Sequence, residues 1–82
     1  MILPTIHSNG SDKRDLFDGY IAAILAVESA IDATSRAAPH GRDYYVQGPD
    51  ALRQATAEHQ RRVQQLNAVC LELVKLAEHV AP

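Results

Sequence analysis

The residues best suited to chemistry lie together in the middle of the chain. Arg42 supplies a planar cation, and Gln47 supplies an amide. Between them stand two aromatic rings, those of Tyr44 and Tyr45. A guanidinium binds phosphate oxygens through two parallel hydrogen bonds, and an aromatic ring stacks on a nucleobase. This set indicates binding of a small nucleotide-like anion.

A structural role for the same residues is the open alternative. Tyr44 and Tyr45 can fold back to cap the open end of a helical hairpin, and Arg42 can pair with Asp43 or Asp32. In either role we expect the two tyrosines to bury their rings and to order the segment.

A histidine and an arginine one helical turn apart form a second candidate site. His59 and Arg62 would make either a satisfied polar pair with Glu28 across a hairpin or a contact to phosphate. His7 and His79 stand alone in the sequence, so solvated side chains are expected for both.

The turn Asn9-Gly10-Ser11 is a third candidate, because it precedes a predicted helix. Helix N-termini bind anions through free backbone N–H groups, but ordinary capping, here by Ser11, uses the same residues. In one antiparallel hairpin this turn lies at the end opposite Arg42. Only antiparallel protomers would bring the two together, in a site shared between subunits.

Patterns for catalysis and metal binding are missing. No serine or cysteine has a histidine at a suitable local spacing, and no glycine-rich loop follows a strand. The single cysteine, Cys70, excludes an intramolecular disulfide, and no Cys or His pair has zinc-site spacing. We expect a non-enzymatic protein with no cofactor and no metal, in a reducing compartment.

Two long helices must position these residues. The first is expected from Asp12 to about Ala37, because a residue before Pro39 disfavours helical dihedrals. In the second, apolar residues recur at every seventh position, which is typical of antiparallel packing at a shallow angle. The prediction is an all-α, antiparallel two-helix hairpin, with an N-terminal arm and turn over residues 1–11, helices over 12–37 and 49–80, and a recognition loop over 38–48.

The first helix also predicts self-association. No charge lies between Gly19 and Val27. A helix that is uncharged around its circumference for over two turns is usually buried on more than one side. A stripe of small residues also runs along this helix and consists of Gly19, Ala22, Ala26, Ala30 and Ala33. We therefore expect a homo-oligomeric helical bundle, with the arm laid against the helices.

Charge and hydropathy limit the other partners. A net charge of −2 argues against binding long nucleic acids, although the arginines concentrate in the middle third. No apolar run approaches the ~18 to 20 residues of a membrane span, and the first residues lack the order of a signal peptide. We expect a cytoplasmic protein that does not engage membranes.

Two segments carry a resemblance to known proteins, namely Ile6-His7-Ser8-Asn9-Gly10-Ser11 and Ala38-Pro39-His40-Gly41-Arg42-Asp43-Tyr44-Tyr45, the latter followed by Gln47-Gly48-Pro49. With these segments around a helical hairpin, the chain resembles, over nearly its whole length, a group of small, mostly uncharacterised phage-encoded proteins. In size and layout alone it also looks like viral sponge proteins that sequester cyclic-nucleotide or cyclic ADP-ribose immune signals. None of the sponges' ligand-binding residues aligns with this chain.

The resemblance implies an oligomer that binds its ligand between protomers in the host cytoplasm. Together with the loop residues it favours sequestration of a small phosphate-bearing signalling nucleotide, as a phage anti-defence protein would do. The alternative is a helical interaction module or inhibitor that binds a host or phage protein through its loop and apolar helix face.

Overall fold

The structure, a computed structural model that describes all 82 residues, is a hairpin of two long α-helices. Helix α1 spans Lys13–Arg36 and helix α2 spans Ala51–His79. Between them the chain forms two short 3-10 helices, Gly41–Asp43 and Tyr45–Gln47. There is no strand. The predicted all-α hairpin is confirmed, and each helix lies one or two residues inside the expected bounds.

Helix α1 begins after a capping aspartate. The side chain of Asp12 accepts a hydrogen bond from the backbone N–H of Arg14 at 3.3 Å. Its negative charge also suits the positive end of the helix dipole. The cap is therefore Asp12, and the expectation of Ser11 is wrong by one residue. Gly10 closes the preceding turn by donating its backbone N–H to the carbonyl of His7 at 3.1 Å.

The loop is ordered by hydrogen bonds. His40 Nδ1 accepts the backbone N–H of Arg42 at 3.1 Å, which caps the first 3-10 helix. Gly48 ends the second with a φ of 104°, a left-handed conformation that favours glycine. At the start of α2, Asp50 makes no capping hydrogen bond and instead pairs with Arg53 at 2.9 Å. Helix α2 starts at Ala51, two residues later than expected.

The N-terminal arm touches the far end of α2. His79 donates from Nε2 to the carbonyl oxygen of Pro4 at 2.8 Å. His79 is therefore not isolated as expected, although its side chain is exposed. The two buried residues of the chain, Ala77 and Val80, lie in this region, whereas Ile2 is 94% exposed. The arm is thus hydrogen-bonded to the end of α2 through Pro4.

One copy of the chain has almost no core. Its extents are 61 × 20 × 16 Å, and its radius of gyration is 18.3 Å. A compact domain of this length has a radius of gyration of about 12 Å. The accessible surface is 6072 Å², against about 4,900 Å² for a compact monomer of this mass. The hairpin therefore leaves apolar surface in water that a compact domain would bury.

Candidate functional site

A groove of about 300 Å³ opens where the loop meets the two helices. Its lining includes proline, alanine, glutamine, one carboxylate and one guanidinium. We name it the loop-end groove, lined by Ala37, Pro39, Tyr44, Gln47, Ala51, Gln54, Ala55, Glu58, His59 and Arg62.

Four of the predicted site residues meet in this groove. Tyr44 and Gln47 come from the loop, and His59 and Arg62 come from one face of α2. Tyr44 and His59 are half-buried, whereas the other two are exposed. None of the four side chains makes a hydrogen bond within the chain. Their polar atoms are consequently available to a ligand.

The expected pairing of His59 and Arg62 with Glu28 is wrong. Glu28 lies in a separate groove farther along the hairpin, beside Asn67 and Cys70. Because the helices run antiparallel, Glu28 is level with Cys70, eleven residues beyond His59 and about 16 Å along α2. His59 and Arg62 therefore remain without partners in the hairpin.

The loop-end groove carries charges of both signs. Arg62 contributes the guanidinium and Glu58 the carboxylate. Two other arginines near this end are neutralised by aspartates, in the pairs Arg36–Asp32 and Arg53–Asp50. Arg62 makes no ion pair, so it is the free cation of the groove.

A second, more apolar cleft of about 530 Å³ shares Tyr44 with the loop-end groove. Tyr45 lines it together with Gly41, Gly48, Pro49 and Leu52. Tyr45 is 76% exposed. The expectation that both tyrosines bury their rings therefore holds in part for Tyr44 and is wrong for Tyr45.

The remaining candidates lie outside the groove. Arg42 is exposed, lines neither cleft and forms no ion pair, with Asp43, Asp32 or any other residue. The turn Asn9-Gly10-Ser11 lies beyond the opposite end of α1, whose 24 residues span about 36 Å. One hairpin therefore does not unite this turn with the loop.

Sequence reasoning missed Gln54 and Glu58, which α2 adds to the groove beside the predicted His59 and Arg62. Gln54 and Glu58 stand four residues apart and precede Arg62 by four more, so all three share one helix face. The small residues Ala51 and Ala55 beside them leave the space that the groove occupies. This spacing was the available signal.

Other site types are not found in the structure. No group of three or more His, Cys, Asp or Glu side chains is placed to hold a metal ion. Neither helix is both long and apolar enough to cross a membrane. No protein-family model, curated protein or solved structure matches the chain.

Proposed function

We propose that the protein is a non-enzymatic, self-associating binding protein that holds a small phosphate-bearing nucleotide in the loop-end groove. The observation that supports this best is the convergence of Tyr44, Gln47, His59 and Arg62 on one groove, with no hydrogen bonds between their side chains and the rest of the chain. These four residues supply a ring, an amide, an imidazole and a guanidinium.

Each of these groups has a defined task. Arg62 binds phosphate oxygens through its planar fork, and the half-buried ring of Tyr44 stacks on the base. Gln47 and His59 donate hydrogen bonds to the remaining polar atoms. Glu58 accepts hydrogen bonds from ribose hydroxyls or an exocyclic amino group, which favours a nucleotide over a simple phosphate ion.

The size of the groove supports a small ligand. Its volume of about 300 Å³ is at the lower end of the range typical of small-molecule sites. A long polyanion would in addition meet a chain whose net charge is −2. Arg42, two residues before Tyr44, contributes from the rim by attracting the ligand.

Sequestration is the biological role that this chemistry supports. In this proposal the nucleotide is bound without being converted, so binding lowers the free concentration of the signal. This matches the implication of the resemblance to viral sponges, namely that a phage-encoded protein counters nucleotide signalling in the host cytoplasm.

Exposed apolar residues in the loop favour a second candidate function. Tyr45 and Val46 are largely exposed, and Leu52 lies beside Tyr45 in the second cleft. An apolar patch of this kind is typical of a surface that binds another protein. The protein would then act as an interaction module or inhibitor of a host or phage protein.

Thermal unfolding with a panel of cyclic nucleotides and ADP-ribose derivatives distinguishes the two functions. A ligand at 100 times its dissociation constant adds about 2.7 kcal/mol to the free energy of unfolding. Arg62→Ala should remove this stabilisation. Arg53→Ala is the matched control, because Arg53 lies at the same end of the hairpin, is paired with Asp50 and lines neither cleft. If no nucleotide stabilises the protein and another protein co-purifies with it stably, the result would favour the interaction module or inhibitor.

A further inference from the structure

We infer that the outer face of α1 is a two-fold surface on which a second copy of this chain packs in antiparallel orientation. This face points away from α2 and carries seven exposed small or apolar residues, Gly19, Ile21, Ala22, Leu25, Ala26, Ala30 and Ala33, with the polar Asp18 and Ser29 among them. The inference rests on the self-association in the proposed function, and it does not depend on the identity of the ligand.

From Gly19 to Ala26 the outer face is apolar although nothing in the hairpin covers it. The half-buried residues of α1 follow the other side, towards α2, and include Leu16, Tyr20, Ile24 and Val27. On the outer face, by contrast, Leu25 is 62% exposed. The charge-free sequence between Gly19 and Val27 thus has one side against α2 and one side in water.

The surface area indicates a second copy as the occupant. One chain exposes about 1,200 Å² more than a compact monomer of its mass. This excess belongs to the whole elongated chain, of which the outer face is one part. Two copies that covered all of it would bury about 2,400 Å², which is the size of an obligate homodimer interface. With only two buried residues, one hairpin has no core of its own to replace this burial.

Charge favours the antiparallel orientation. Asp15 and Asp18 are exposed in the first turns of α1, next to the outer face. A parallel pair would set each of these carboxylates against its own copy. An antiparallel pair separates these carboxylates from their own copies, and it also opposes the two helix dipoles.

The small side chains define the spacing and the register. Gly19, Ala22, Ala26 and Ala30 let two helix axes approach to about 8 Å. Full overlap of two antiparallel Lys13–Arg36 helices puts position 19 of one copy opposite position 30 of the other, since both are equally distant from the helix midpoint. The N-terminal turn of one copy then comes beside Ala37 of the other, at the rim of the loop-end groove.

Disulfide trapping tests both the face and the register. In a Cys70→Ser background, Gly19→Cys and Ala30→Cys are purified separately, then mixed and oxidised. A side chain at position 19 fits within the hairpin, because an added Cβ there has no neighbour within 4 Å. The mixture should give a covalent dimer of the two different variants, while each variant alone should give little, because disulfides need Cα atoms roughly 4.4 to 6.8 Å apart. Circular dichroism verifies that each variant remains helical.

A matched control and a mass measurement complete the test. Leu71→Cys, in the same background, lies exposed on α2 and should remain unlinked. Efficient dimers of Gly19→Cys with itself would overturn the antiparallel orientation, and efficient dimers of Leu71→Cys would overturn the face. A scattering mass of 9.0 kDa for the Cys70→Ser protein would contradict the self-association as well. If no nucleotide in the panel stabilises the protein but the Gly19→Cys and Ala30→Cys variants cross-link as expected, the nucleotide proposal is rejected and the self-association surface is retained.

Discussion

Replacement of Leu25 by alanine should weaken self-association strongly. Full burial of a leucine side chain contributes about 1.5 to 3 kcal/mol, and 62% of Leu25 is still exposed in the hairpin. A second copy that covers this remainder gains about 1 to 2 kcal/mol from each Leu25, or about 2 to 4 kcal/mol per dimer. The dissociation constant of the dimer should therefore rise roughly 30- to 1,000-fold in Leu25→Ala.

Sedimentation equilibrium over a dilution series measures this dissociation constant. Leu71→Ala is the matched control, because Leu71 is 64% exposed but lies on α2, away from the outer face of α1. Both substitutions remove the same atoms from a helix, so any effect on helix propensity cancels. We expect the control to change the free energy of association by less than about 0.5 kcal/mol. Equal dissociation constants for the two variants would refute burial of Leu25 by a second copy.

Three other substitutions test the assembly, the small core and the loop. Ala26→Glu should reduce the scattering mass to the 9.0 kDa of one chain, because the substitution buries an unpaired carboxylate between the two copies. An intact dimer of this variant would contradict the prediction. Val80→Ala should lower the free energy of unfolding in urea by about 2 kcal/mol, since Val80 is fully buried, while the exposed Val46→Ala should change it by less than about 0.5 kcal/mol. Gly48→Ala should lower the free energy of unfolding by about 1 kcal/mol or more, because φ is 104° at this position. An unchanged urea midpoint would show that the loop relaxes without cost.

The helices could be predicted from the sequence because their signals are local. Pro39 limits the end of α1, and the seven-residue repeat of α2 specifies packing against an antiparallel neighbour. The cap was misplaced by one residue because Ser11 and Asp12 are both good N-caps, and the choice between them depends on the backbone conformation of the turn.

The groove could be predicted only in part, because it depends on the path of the loop. Residue types alone indicated Tyr44 and Arg62, but the two consecutive 3-10 helices turn Arg42 and Tyr45 away from the loop-end groove. The contact between His79 and Pro4 joins residues 75 positions apart, and no local pattern predicts it.

Calorimetric titration of the nucleotide that stabilises the protein most tests the proposed site directly. The wild type should bind with saturable heat, and Arg62→Ala should weaken the affinity at least tenfold, since a charge-assisted hydrogen bond contributes about 1.5 to 3 kcal/mol. Arg53→Ala, whose guanidinium is paired with Asp50, should keep the wild-type affinity. Absence of binding by the wild type, or equal affinities of the wild type and Arg62→Ala, would contradict a nucleotide site in the loop-end groove.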